Sequence, residues 1–155
     1  MPDLAALVVM ALIGLAISIY LTTVHYTRAP LLCTAGGIVN CTQVTTSVYS
    51  VVPGTQLPIT VPGMLWFLVS GGLALATWRA QVRGGVAPVR LALAQLAWSA
   101  LGLVTVLYLV YVELVRLHAI CEWCSAVHVL TLLTFLVALY RVQRLPSGDD
   151  SIEAE

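Results

Sequence analysis

The first apolar stretch of the chain, LAALVVMALIGLAISIYLTTVHY at residues 4–26, decides the fold class. It contains no charged residue, and it exceeds the roughly 20 helical residues that cross a hydrocarbon core about 30 Å thick. It lacks the basic start and the small-residue cleavage site that are typical of a secretory signal peptide. We therefore expect it to remain in the protein as a membrane-spanning helix.

Three further apolar runs follow, at residues 62–78, 91–112 and 122–141. Charged residues lie only at the edges of these runs, as the cost of burying a charge in lipid requires. The sequence thus predicts an all-α membrane protein, a four-transmembrane-helix bundle formed as a single unit by residues 1–145. A long loop at 27–61 joins the first two spans, and 146–155 form a polar, disordered cytoplasmic tail.

Composition and charge support this class and exclude another. The chain is 60% hydrophobic and only 9% charged, and its seven arginines are balanced by seven acidic residues, with no lysine. No basic block is available to neutralise a row of phosphates, so we expect no nucleic-acid binding. Five arginines flank one side of the predicted membrane and two flank the other: Arg79, Arg83, Arg90, Arg141 and Arg144 against Arg28 and Arg116. This asymmetry predicts cytoplasmic termini and extracytoplasmic cysteines.

The four cysteines carry the candidate chemistry. Cys33 and Cys41 lie in the long loop, and Cys121-Glu122-Trp123-Cys124 is a C-x-x-C where the last helix should begin. A helix N-terminus lowers the pKa of a nearby thiol, and residues three apart share a helix face, which favours a redox-active pair. The loop pair could equally be a structural brace, and a zinc site built from these thiols is a third reading. Spacing alone does not decide which sulfurs are paired.

Two dithiols on one side of a membrane bundle suggest a path for electrons that ends in the lipid. A quinone is a suitable acceptor because it dissolves in the bilayer and takes two electrons. It would reach Cys124, one turn into the helix, more easily than Cys33 in the solvated loop. The competing hypothesis from another class is a non-catalytic scaffold whose disulfides only hold the outer loops.

The order of these motifs resembles the vitamin K epoxide reductase (VKOR) family, and especially its bacterial homologues. The resemblance rests on CTQVTTSVYS at residues 41–50, on the Pro62-Gly63 start of the second span and on the late C-x-x-C. In the DsbB-type quinone reductases the C-x-x-C comes first, which is the reverse of the order here. Many bacterial VKOR relatives carry a fused thioredoxin-like domain, for which this chain has no room after the bundle, so we expect a separate partner.

The resemblance implies a quinone-linked thiol:disulfide oxidoreductase of the bacterial plasma membrane. An extracytoplasmic thioredoxin-fold (DsbA-like) protein would exchange disulfides with Cys33 and Cys41, Cys41 would pass the exchange to Cys121, and Cys124 would face the quinone. The quinone would be menaquinone, ubiquinone or a vitamin K-type molecule. The animal members place an asparagine shortly before the second span, and none stands here, so plain quinone reduction is favoured over epoxide reduction.

Four residues are predicted to contact the quinone: Ser47, Tyr49, Trp66 and His128. Ser47 matches the family serine that follows the second loop cysteine, although a loop hydroxyl bonded to backbone is an equal alternative. His128 lies one turn beyond Cys124, where family members more often have tyrosine, and a buried structural histidine is its alternative.

The remaining polar and aromatic residues are predicted to have ordinary roles. Glu113 and Arg116 are spaced as a solvated i, i+3 ion pair. His25 and His118 suit the membrane interface, and aromatic residues such as Trp98 suit belts or helix packing. No metal site is expected.

Overall fold

The computed structural model describes residues 2–34, 36–84 and 89–145, and over these residues the protein is helical without extended strands. Four helices are long and apolar enough to cross a membrane by length and composition. In chain order the helices are α1 (Pro2–Thr27), the short α2 (Cys41–Thr45), α3 (Thr60–Gly84), α4 (Val89–Tyr111) and α5 (Glu122–Gln143). The prediction of a four-helix membrane protein is confirmed, whereas the predicted tail at 146–155 lies outside the described residues.

The second long helix is longer than the apolar run that predicted it. The run was expected at 62–78, but α3 begins at Thr60 and continues to Gly84. Pro62 is thus in the first turn, where its missing N–H costs no hydrogen bond. At the other end, Arg79 and Arg83 end the apolar stretch without ending the helix, because arginine is a good helix former.

The third long helix ends in an irregular segment. A π-helical turn at Val112–Leu117 follows α4, and His118 closes it in the left-handed conformation with φ of 50°. The backbone N–H of Ala119 then donates to the Glu113 carbonyl at 3.1 Å. Single π-helical turns are rare and are found frequently at functional sites, because they change which side chains face inward.

Small residues and paired side chains hold the bundle together. Gly14 of α1 faces Phe67 of α3 so closely that a Cβ at position 14 would overlap the ring. On the other side of α3, the Trp66 and Trp98 indoles each donate to the other's backbone carbonyl at 3.1 Å. Arg141 of α5 pairs with Asp3 of α1 at the opposite end of the bundle from the cysteines. Close approach through small residues is expected where helices associate in lipid.

The long loop folds back onto the turn that joins α4 to α5. The Asn40 N–H donates to the Ile120 carbonyl at 3.1 Å, and the Ile120 N–H donates to the Ile38 carbonyl at 2.9 Å. Asn40 also caps α2 by accepting a hydrogen bond from the backbone N–H of Gln43 at 3.0 Å. These bonds place the start of α2 directly beside the start of α5.

Candidate active site

The two cysteine pairs meet at the contact between the long loop and the start of α5. Cys33 and Cys41 form a disulfide with their Cα atoms 6.4 Å apart, while Cys121 and Cys124 are free thiols. Cys41 and Cys121 are buried in one apolar cluster together with Val44 and Ala119, and Cys33 and Cys124 pack against it. The fold therefore brings all four cysteines together, although the two pairs are about 80 residues apart in the sequence.

Side chains of the C-x-x-C segment hold the loop in place. Trp123 donates from its indole Nε1 to the Leu32 carbonyl at 2.8 Å, and Glu122 accepts hydrogen bonds from the backbone and the hydroxyl of Thr34. Gln43 donates from its side-chain amide to the Leu117 carbonyl at 3.0 Å. The residues between and beside the cysteines thus fix the position of Cys33 relative to the C-x-x-C.

Cys121 is the N-cap of α5, and its sulfur accepts a hydrogen bond from the backbone N–H of Cys124 at 3.4 Å. Hydrogen bonding by the Cys124 thiol lowers the pKa of Cys121, with further lowering by the backbone N–H groups of Cys124 and Trp123. Burial and the Glu113 carboxylate act in the opposite direction, but the pKa remains below the ordinary value for a thiol. The backbone N–H groups at the helix start thus add to the effect of the Cys124 thiol at the first cysteine of the motif.

A cavity of about 320 Å³ between the long helices has Cys124 in its wall. Its walls are mostly apolar and come from α1, α3, α4 and α5, including both Trp66 and Trp98. A smaller pocket of about 70 Å³ lies nearer the loop. Six residues line both spaces: Leu21, Ile59, Thr60, Leu109, Cys124 and His128. Cys124 is therefore the one cysteine of the four that lines these cavities, and the volume suits a planar apolar ring.

A family model described as the vitamin K epoxide reductase family matches residues 5–139 of the chain. The protein belongs to the vitamin K epoxide reductase family. The match covers all four long helices and all four cysteines, so the resemblance inferred from the motifs is confirmed. A comparison with curated proteins finds no match.

The four residues predicted to contact the quinone are divided between the two spaces. Trp66 lines the larger cavity, Ser47 and Tyr49 line the smaller pocket, and His128 lines both. The Ser47 hydroxyl donates to the Val44 carbonyl at 2.8 Å, which corresponds to the local backbone bond considered as its alternative. His128 is buried on α5, one turn beyond Cys124.

The prediction of a solvated ion pair between Glu113 and Arg116 is wrong. Glu113 is only 6% exposed, whereas Arg116 is exposed at the surface. Its carboxyl group lines the smaller pocket together with Cys124 and His128. The spacing of α4 contained the signal, since Ala92, Ser99 and Val106 are buried at seven-residue intervals and Glu113 is the next position.

Trp98, for which a pocket wall and helix packing are both possible from the sequence, takes part in both. Its indole lines the larger cavity and donates to the Trp66 carbonyl at 3.1 Å. No sequence pattern distinguishes such a tryptophan from one at the membrane interface, because the distinction depends on which helix face meets α3.

Proposed function

We propose that the protein is a quinone-dependent thiol:disulfide oxidoreductase that relays electrons from an extracytoplasmic thioredoxin-fold protein to a membrane quinone. The observation that carries this proposal is the apolar cavity beside Cys124, at the end of a contiguous group of four cysteines. VKOR family membership supports an oxidoreductase in general. The cavity supports the finer assignment, because a merely structural disulfide has no need of an apolar space beside a free thiol.

The arrangement of oxidised and reduced cysteines matches one intermediate of the proposed cycle. Cys33 and Cys41 are joined, whereas Cys121 and Cys124 are free, which corresponds to the protein after the loop dithiol has reduced the C-x-x-C disulfide. In that exchange the Cys41 thiolate attacks Cys121, and Cys124 leaves. Cys33 then attacks Cys41 and releases Cys121. Two electrons and two protons pass from the loop pair to the C-x-x-C pair.

The second half of the cycle oxidises the C-x-x-C dithiol. A bound quinone supplies a two-electron, two-proton acceptor, so that dithiol and quinone become disulfide and quinol. The chain contributes Cys124 at the cavity wall and Cys121 as the second sulfur of the disulfide that closes. Trp66 and Trp98 give the cavity flat apolar surfaces, and His128 is placed to donate a hydrogen bond at the wall it shares with Cys124.

The partner would dock around the Cys33–Cys41 disulfide. Apolar side chains near this disulfide are well exposed, with Leu32 at 79%, Ile38 at 60% and Val48 at 80%. Exposed apolar groups beside a disulfide suit a protein that must approach a sulfur atom for in-line attack. The arginine asymmetry supports placing this end outside the bacterial plasma membrane, with both termini in the cytoplasm.

An anaerobic assay tests the proposal. The purified protein is mixed with a reduced thioredoxin-fold protein and a ubiquinone or menaquinone analogue, and quinone loss is followed by absorbance. We expect catalytic quinone loss in the wild type and none in Cys124→Ala, with both proteins showing the same helical circular dichroism. Absence of turnover with every quinone and partner tried would favour a disulfide-braced scaffold instead.

A further inference from the structure

We propose that Glu113 transfers the proton of the Cys121 thiol to the quinone when the C-x-x-C dithiol is oxidised. This inference deepens the proposed function and rests on it. It assigns a role to a buried carboxyl group that the cysteine relay does not by itself require.

The position of Glu113 is the first argument. The carboxyl group is buried, and it lines the pocket that contains Cys124 and His128. It acts electrostatically on the Cys121 thiol, whose pKa its negative charge raises. Glu113 thus lies near the dithiol, in a pocket that shares Cys124 and His128 with the larger cavity.

The backbone around Glu113 is the second argument. The π-helical turn begins at Val112, and both Val112 and Glu113 are buried, whereas the next three residues are exposed. Burying a carboxyl group in a membrane bundle is costly, and such groups generally face a functional interior. The inward position of this carboxyl group therefore makes it a candidate for the proton chemistry of the site.

Proton balance is the third argument. Oxidation of Cys121 and Cys124 releases two electrons and two protons, and formation of the quinol consumes both. Cys124 lies at the cavity and can lose its proton there, but Cys121 has an exposed fraction of 0% and lines neither cavity. Ionised Glu113 takes the Cys121 proton as the sulfur–sulfur bond forms, passes it to a quinone oxygen and returns to its starting state.

Other titratable groups surround the same pocket and must be distinguished from Glu113. They are His25 from α1, Tyr49 from the loop, and Cys124 and His128 from α5. Arg116 and His118, on the same segment as Glu113, are exposed. His128 is the main competitor, because it lines both spaces.

The test compares Glu113→Gln with Glu113→Asp and with Arg116→Gln. Glutamine keeps the size of the side chain, but it cannot carry a proton. Aspartate keeps the titratable group, and Arg116→Gln removes only the exposed charge. The first measurement is the single-turnover rate at which a quinone analogue oxidises the C-x-x-C dithiol, recorded as a function of pH.

We expect Glu113→Gln to lower this rate by about 100-fold, within the usual range for loss of a general acid–base group. Glu113→Asp should retain the rate within about tenfold, and Arg116→Gln should equal the wild type. Affinity for the analogue, followed by quenching of tryptophan fluorescence, should stay within about threefold in all variants. Full oxidation in Glu113→Gln, or a loss matched by lost affinity, would overturn the inference.

A second measurement needs no quinone. With Cys33 and Cys41 oxidised, the C-x-x-C thiols are alkylated by N-ethylmaleimide, and the reaction is followed by mass spectrometry. Removing the negative charge beside Cys121 should raise the thiolate fraction and speed alkylation by about two- to fivefold at neutral pH in Glu113→Gln only. An unchanged rate would show that Glu113 carries no charge beside the dithiol, which contradicts its role as a proton acceptor.

These outcomes separate the inference from the function on which it rests. If the wild type fails to reduce quinone, the proposed function is wrong whatever the alkylation shows. If the wild type and Glu113→Gln reduce quinone equally well, the proposed function stands and the role of Glu113 is wrong.

Discussion

Cys121 lies between the two dithiols, buried against Cys41 on one side and hydrogen-bonded to Cys124 on the other. Complete burial would ordinarily keep a thiol protonated, because the thiolate loses its hydration. Here the hydrogen bonds of the Cys124 thiol and of the first α5 backbone N–H groups outweigh burial and lower the pKa of Cys121. Cys121 is thus a good leaving group when the loop disulfide closes.

This pKa predicts a pH dependence for exchange between the pairs. Starting from the oxidised loop and the free C-x-x-C, attack of Cys121 on Cys41 requires the Cys121 thiolate. In Cys124→Ala, which cannot resolve the product, the Cys41–Cys121 mixed disulfide should form faster as pH rises. Because the Cys124 side chain is the largest cause of the lowered pKa, the rise should occur at higher pH than in Cys124→Ser, which keeps a hydroxyl donor.

Trapping the mixed disulfide with acid at different pH values and counting it by mass spectrometry measures this dependence. A mixed disulfide that joins Cys33 to Cys121 instead would show that the loop moves further than the present contacts indicate. Identical pH profiles in the two variants would show that position 124 does not tune Cys121.

At the scale of elements, the contact between α3 and α4 shapes the cavity. The Trp66 and Trp98 indoles donate to one another's carbonyls, and Trp66 lies against Gly102 so closely that a Cβ would overlap its ring. Glycine at position 102 is therefore required by a close approach and not by backbone conformation. The helix pair is held by two hydrogen bonds that would be strong in an apolar surrounding.

We predict that Gly102→Ala lowers quinone affinity by about tenfold, because the methyl group pushes Trp66 into the cavity that both residues line. Gly72→Ala is the matched control, since a Cβ at position 72 meets nothing within 4 Å. Fluorescence quenching by a quinone analogue measures both affinities. Equal affinity in the two variants would place the quinone elsewhere.

Sequence patterns are sufficient to predict the four long helices. The runs that begin near residues 4, 62, 91 and 122 predicted all four long helices, because charge and length are decisive in a membrane. The same reasoning misjudged Glu113, since it treated a charge at the end of a run as solvated. The burial of Glu113 continues the seven-residue spacing of buried positions on α4, whereas the π-helical turn at this position has no local sequence signal.

At the scale of the whole molecule, the two ends of the helix bundle differ in the residues that they contain. The cysteines and both cavities lie at the loop end, whereas the Arg141–Asp3 pair joins α5 to α1 at the other end. Between them, Gln95 is only 4% exposed, and both polar atoms of its side chain lack a hydrogen-bond partner among the described residues. This amide lines neither cavity.

We predict that Gln95→Leu stabilises the bundle by roughly 1–3 kcal/mol, the usual cost of an unsatisfied buried polar group. Thermal unfolding in detergent should show a higher midpoint with unchanged quinone reduction. Ser99→Ala is the control, because the Ser99 hydroxyl already donates to the Leu96 carbonyl at 2.9 Å. A lower midpoint in Gln95→Leu would show that the amide is satisfied in the membrane, for example by water.

The order of the relay, from loop to C-x-x-C to quinone, could be proposed from the motifs, but its physical basis lies in the packing. Only the fold shows that Cys41 and Cys121 share one cluster, because the hydrogen bonds of Asn40 and Ile120 that join the two segments have no counterpart in the sequence pattern. Likewise, the cavity results from four helices that are distant in the chain.

The most direct test of this account is an anaerobic titration of the fully reduced protein with a quinone analogue, followed by mapping of all four cysteines. The wild type should consume two equivalents of quinone per chain and form the Cys33–Cys41 and Cys121–Cys124 disulfides. In Cys124→Ala, quinone should remain unreduced and the loop thiols should stay free. Formation of the Cys33–Cys41 disulfide at the wild-type rate in Cys124→Ala would contradict the relay.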